Sequence, residues 1–335
     1  MNDGNGDKVG FFSGRREIAT GLGGMHARMM GFAPYRLCWR VLERFGLTGR
    51  AAVFLVPYLW LLIFFLGPFL IVLKISFSTT VIAIPPYSPV FEWTDAGPSV
   101  KLNFDNYAFL FEDRLYIDSY LNSLRIAGIS TLIALMVGYP IAYGMARAPS
   151  GWRLPLLMLV ILPFWTSFLI RVYAWIGILK KEGLLNLALL SMGVIDEPLN
   201  ILNTETAVYI GIVYSYLPFM ILPLYANLEK MDLTLLEAAA DLGCSRLKAF
   251  WVITIPLSLP GIVAGCFLVF IPAVGEFVIP DLLGGSETVM IGKTLWTEFF
   301  NNRDWPLASA VAVILLGILV IPIVYFQRLQ AKNAG

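Results

Sequence analysis

The chain has 335 residues, of which 58% are hydrophobic and only 14% charged, and its formal net charge is +1. That balance excludes a water-soluble globular domain as the main body and supplies no global positive field for nucleic acid. Cys38, Cys244 and Cys266 stand far apart beside a single histidine, His26, so neither a disulfide framework nor a metal site is expected.

Residues 1–50 are mixed, Gly-rich and basic, and read as a cytoplasmic N-terminal tail. A cleaved signal peptide would instead place a short apolar core close behind its first basic residues. Six stretches then reach the roughly 20 apolar residues that a membrane-crossing helix needs: 51–75, 123–146, 154–179, 207–226, 262–283 and 307–326. They predict an all-α polytopic membrane protein with six transmembrane helices in a domain of residues 51–327, followed by a short cytoplasmic tail, 328–335. Pro140, Pro163, Pro218 and Pro272 fall inside these stretches. Membrane helices tolerate proline because neighbours re-satisfy the freed carbonyls, so kinks rather than breaks are expected.

Orientation follows from Lys and Arg in the short connections. Arg36, Arg40, Arg44 and Arg50 precede the first span; Arg147 and Arg153 lie between the second and third; Lys230, Arg246 and Lys248 between the fourth and fifth; Arg328 and Lys332 at the end. These segments are expected inside, with both termini cytoplasmic. The alternate loops are acidic or balanced, with Lys180 and Lys181 against the trend. The long outer loop, 76–122, carries Asn103, Phe104, Tyr107, Phe109 and Phe111, a cluster suited to the membrane interface or to a partner.

Between the fourth and fifth stretches, residues 229–256 contain Glu237-Ala238-Ala239-Ala240-Asp241-Leu242-Gly243, then Ile253 and Ile255-Pro256. Thr234 and Glu237 have the spacing of a capping box, Gly243 is placed to close the short helix it opens, and Ser245 to cap a second. The pair predicts a helix-turn-helix knuckle at the membrane surface. For any single residue here, fold maintenance is sufficient explanation. The whole string resembles the EAA loop of ABC importer permeases, with Ile255 in place of the family's leucine.

That resemblance implies the type I ABC importer permease fold. It also implies that Glu237, Ala238, Ala239, Gly243, Ile253 and Pro256 form the surface that couples to an ATPase. The sequence has no phosphate-binding G-x-x-x-x-G-K-[ST] loop. ATP and Mg would therefore be used by a separate ATPase dimer, with no cofactor bound by this chain. A second homologous permease and an extracytoplasmic binding protein complete the implied assembly in a bacterial inner membrane.

The segments around Phe164-Trp165-Thr166-Ser167, Gly275-Glu276-Phe277 and Arg303-Asp304-Trp305-Pro306 resemble polyamine permeases, and Gly275-Glu276-Phe277 is closer to the putrescine group. A linear amine needs carboxylates for its ammonium groups and aromatic faces for its stem. Glu276, read as lying inside the fifth span, costs about 3 kcal/mol on insertion scales and is a candidate for the substrate path. Equally, it can pair with Arg171 in a buried ion pair that locks two helices. Asp281 is an acid at the mouth of the path or a solvated loop charge. Trp165 and Tyr173 are stem contacts or packing aromatics, and Asp304 and Trp305 stand where an arriving amine first meets the chain. Rival readings are a permease for another small solute, an ion-coupled carrier, for which no internal repeat is detectable, and an intramembrane enzyme, for which no nucleophile and base stand together.

Overall fold

The structure is a computed structural model and describes residues 50–94, 97–286 and 288–333. The expected N-terminal tail, with Cys38 and its arginines before Arg50, lies outside the described residues. The chain divides into two compact units, Met1–Ile71 and Val72–Gly335.

In the first unit α1 (Arg50–Leu61) passes through a π-helical turn, Leu62–Leu66, into α2 (Gly67–Ser76), which continues into the second unit. The apolar part is one 23-residue helix, Phe54–Ser76. At 1.5 Å per residue it is about 34 Å long, enough for the roughly 30 Å hydrocarbon core.

The second unit carries a hairpin, β1 (Phe91–Thr94) antiparallel to β2 (Gly97–Val100), and a short helix, α3 (Asp105–Glu112). The aromatic and amide cluster of this loop folds back on the start of the unit. Tyr107 shares a 2.7 Å hydroxyl hydrogen bond with Ser76, and Asn106 Nδ2 donates to the carbonyls of Ser76 and Ser78, both at 2.9 Å.

Three long helices carry the core: α4 (Arg114–Arg147), α8 (Glu205–Leu228) and α11 (Ile255–Val274). Ile126, Val208, Ile212, Ile279 and Leu283 are buried at one end of the bundle, and Ala134, Ala142, Met220, Leu224 and Val269 at the other. With lipid on the outside there is little hydrophobic drive between helices, so close approach of backbones at small residues has to supply the packing. Gly265 shows this, because a Cβ there would stand 2.8 Å from Met220 Sδ and 3.2 Å from the Met220 carbonyl.

Four helices are each long and apolar enough to cross a membrane among the described residues. The third expected span is not continuous. It comprises α5 (Ser150–Ile161), a tight turn Leu162–Trp165, α6 (Phe168–Leu179) and α7 (Leu184–Ser191), and the two halves meet at 89°. Pro163 donates no hydrogen bond and disfavours helix at the residue before it. Thr166 and Ser167, at ψ 151° and 138°, then leave the helical region altogether. Pro140 and Pro218, by contrast, sit inside unbroken helices.

The fifth expected span is shifted as well as broken. Its helix runs over Arg246–Val274, through α10 (Arg246–Ala249), a π turn Phe250–Thr254 and α11, and stops at Gly275. Only after Gly275-Glu276-Phe277 does α12 (Val278–Leu283) begin. Beyond it lie α13 (Ile291–Trp296), a π turn Thr297–Asn301 and α14 (Trp305–Asn333). The expected boundary at residue 327 therefore falls inside a helix.

Candidate functional site

Both breaks open onto one cavity of about 600 Å³, lined by Phe164, Phe168 and Arg171 from the first, Gly275, Glu276 and Val278 from the second, and Ser215, Tyr216 and Phe219 from α8. Its walls are largely aromatic, and its charged lining residues are Arg171 and Glu276. Glu276 is thus at an interruption and not inside a helix, and it is buried at 7% exposure. The break explains how a carboxylate survives there. Its Oε1 accepts from the free backbone N–H groups of Val278 at 3.0 Å and Ile279 at 3.4 Å, the first turn of α12, while Oε2 accepts from the Tyr216 hydroxyl.

Arg171 does not supply that stabilisation, so the expected buried ion pair is not formed. Arg171 Nε and Nη1 are buried without a hydrogen-bond partner among the described residues. The guanidinium instead lies over the rings of Phe164, 5.3 Å from the centroid, and Phe168, 5.8 Å away. Ser215 Oγ, on the same wall, is also buried and unpartnered among the described residues. The cavity therefore offers a carboxylate that accepts three hydrogen bonds, a guanidinium with two unpartnered nitrogens, an unpartnered hydroxyl and aromatic faces.

At the other end of the Arg246–Val274 helix lies the knuckle. Helix α9 (Thr234–Asp241) is not opened by a Thr234–Glu237 capping box. Asp232 Oδ1 accepts the Thr234 N–H at 3.0 Å, and that bond, with the Thr234 hydroxyl, holds the exposed Asp232 carboxyl below the usual carboxylate range. At its far end the Gly243 and Cys244 amides donate to Ala240 and Ala239 carbonyls, both at 2.9 Å, with Gly243 at φ +76°. This is the left-handed closure that glycine permits. Ser245 Oγ accepts from Lys248 N at 3.4 Å and caps α10. Glu237, Ala238 and Gly243 are exposed, Ile253 is half-buried and Pro256 exposed, whereas Ala239 turns inward at 8% exposure.

The family described as binding-protein-dependent transport system inner membrane component matches residues 138–332, more than half of the chain and inclusive of both the knuckle and the cavity. The chain belongs to this family. It is a multi-pass component of the inner membrane and works in transport, not as an enzyme. Curated relatives include the spermidine/putrescine transport system permease protein PotB of Haemophilus influenzae, 42% identical over 283 residues that make up 83% of this chain and 93% of that protein. The protein of the same name from Escherichia coli is 43% identical over 279 residues, 82% and 95% of the two chains. Among solved structures, a bacterial ABC transporter involved in import of the acidic polysaccharide alginate matches with a TM-score of 0.64 at 18% identity, covering 88% of this chain and 99% of that one. At that identity the likeness concerns fold, and the fold is that of a type I ABC importer permease.

The remaining path candidates of this permease do not converge on the cavity. Trp165 is 78% exposed and Tyr173 58% exposed, and neither lines it. Asp281 pairs with Lys293 at 3.2 Å. Asp304 caps α14 by accepting from Leu307 N at 3.0 Å and also accepts from Thr80 Oγ1 at 2.6 Å. Trp305 stacks on Phe299, with centroids 5.0 Å apart. Sequence reasoning missed Tyr216 and Ser215, and it missed Glu298. That buried carboxylate accepts from Tyr116 Oη at 2.9 Å and Asn302 Nδ2 at 2.8 Å. Its signal was an acid among aromatics, in Trp296-Thr297-Glu298-Phe299-Phe300.

Proposed function

We propose that this permease forms part of an ATP-driven ABC importer that moves polyamines inward, with putrescine favoured and spermidine also carried. The observation that carries the reading is Glu276, a buried carboxylate at a helix interruption facing an aromatic cavity. A cation that reaches it finds charge for an ammonium group and ring faces for an apolar stem. The names of the relatives, spermidine/putrescine permeases over more than four-fifths of the chain, support the same class of solute.

In the mechanism we infer, both termini are cytoplasmic and an extracytoplasmic polyamine-binding protein delivers the amine. Residues 51–327 form the permease domain, paired with a second homologous permease. An ATPase dimer, using ATP and Mg, docks on the knuckle within 229–256 through Glu237, Ala238, Gly243, Ile253 and Pro256. Closure of the ATPase dimer then alternates access to the cavity. Asp281, Asp304 and Trp305 remain candidates for an outer approach, at a distance from Glu276.

The test is uptake of labelled putrescine by cells without their own polyamine importers, supplied with this permease and its neighbouring transport genes. ATP-dependent uptake competed by amines and not by amino acids or sugars is expected. Replacement of Glu276→Gln should lower it about tenfold or more, as a cation loses a charged partner. An assembled, ATP-hydrolysing complex that imports no amine refutes the substrate assignment.

A further inference from the structure

The cavity holds a guanidinium that forms no ion pair with the carboxylate on the same walls. A charge placed at membrane depth is normally paired or hydrated, because leaving it alone is expensive. Arg171 keeps two nitrogens buried and unpartnered among the described residues and rests on two phenyl faces. Packing alone does not account for a guanidinium here. An apolar side chain would fill the same space against Phe164 and Phe168 without the desolvation cost. The helix-locking explanation fails too, since Glu276 is held by Tyr216 and the start of α12 instead.

The two charges act differently on a polycation. The Glu276 carboxylate already accepts three hydrogen bonds, so it has room for one ammonium group at close range. At longer range both charges act on every ammonium in the cavity, but the O–H and N–H donors on Glu276 turn their positive ends toward it and offset part of its field, whereas no described group does the same for Arg171 Nε and Nη1. Each additional ammonium group therefore gains less from Glu276 than it loses to Arg171.

We propose that Arg171 is a specificity-determining residue whose unpaired guanidinium biases the cavity toward diamines and against triamines. The inference rests on the amine-import reading above. Ser215, whose hydroxyl is buried and unpartnered on the same wall, supplies an oxygen for an ammonium group that stands away from Glu276. Repulsion, not a shortage of polar atoms, is then what discriminates.

The experiment measures initial uptake of labelled putrescine and of labelled spermidine by the complete importer, each at a concentration that saturates the binding protein. The binding protein is the same throughout, so its own preference cancels when variants are compared. Replacing Arg171→Gln should move the putrescine-to-spermidine rate ratio toward spermidine by roughly three- to tenfold, the size of one unit charge acting across several ångströms in a partly wet site. Replacing Arg171→Lys, which keeps the charge, should stay within about twofold of the starting ratio on the same reasoning. An unshifted ratio in the glutamine variant, or an equal shift in the lysine variant, overturns the proposal. Should the glutamine variant fail to reach the membrane, Arg171→Met decides: it keeps an unbranched stem against Phe164 and Phe168 without the charge, should move the ratio toward spermidine, and an unshifted ratio overturns the proposal. A wild-type complex that hydrolyses ATP and imports neither amine removes the underlying reading instead, an outcome separable from a failed ratio.

Discussion

Replacing Gly292→Ala tests whether the break at Gly275-Glu276 is held from behind. Gly292 lies in α13, and a Cβ there would stand 2.4 Å from the Gly275 carbonyl oxygen and 2.7 Å from that of Glu276. Both neighbours are backbone, so no side chain can swing aside and the break itself must shift. Overpacking of this kind costs about 1–3 kcal/mol. The same shift moves the Glu276 carboxylate relative to Tyr216 and to the N–H groups of α12. We expect normal membrane insertion, a complex whose thermal inactivation occurs a few degrees lower, and reduced amine uptake. Gly317→Ala is the control: Gly317 sits inside α14, away from the cavity, and a Cβ on it meets nothing within 4 Å, so both readouts should stay near wild type. A Gly292→Ala complex that matches wild type in both, or a Gly317→Ala complex equally damaged, would refute the account of the break.

Three further outcomes are expected. Gly243→Ala forces a methyl-bearing residue to φ +76° and should cost about 1 kcal/mol and weaken ATPase binding, whereas Gly243→Asn, more tolerant of that region, should be milder; pull-down of the ATPase subunit reads both. Glu237→Lys reverses an exposed charge on the knuckle and should separate ATP hydrolysis from uptake while leaving insertion intact; undiminished uptake would count against a coupling role. Asp304→Ala removes the α14 cap together with the tie to Thr80, so a loss of about 1–2 kcal/mol should appear as a lower melting temperature of the complex.

The apolar runs were legible in the sequence because length and composition are what a bilayer selects. The breaks were not. Pro163 looks locally like Pro140 or Pro218, each a proline in an apolar run, and what separates them is whether neighbouring helices allow the chain to continue. Residues 262–283 read as one stretch because Gly275-Glu276-Phe277 interrupts the helix without interrupting the hydrophobicity. The same blindness led from two buried charges to a supposed ion pair, Arg171 with Glu276. The carboxylate found its partners in Tyr216, which reads as an ordinary aromatic of a membrane helix, and in backbone N–H groups that exist only because the helix stops. The knuckle was legible in outline, with Gly243 and Ser245 placed correctly. Its opening bond went to Asp232 because an aspartate two residues before the first helical N–H reaches it more directly than the Thr234 hydroxyl reaches down the helix.

One connection follows only when both sites are placed along the same helix. The knuckle's second arm, α10, begins the continuous 29-residue helix Arg246–Val274, and the cavity's Glu276 lies two residues beyond its far end. At 1.5 Å per residue that helix is about 43 Å long. It is buried along Ser258, Gly261, Gly265 and Val269 and packs against α4 and α8. In the proposed importer, a push at the knuckle would pass along this helix toward the break at Gly275. The Tyr216 hydroxyl from which Glu276 accepts stands on α8, a separate helix, so movement of the break relative to α8 lengthens that bond. Release of that bond frees one carboxylate oxygen toward the cavity, so in the proposed importer a push at the membrane surface changes how strongly the cavity holds a cation.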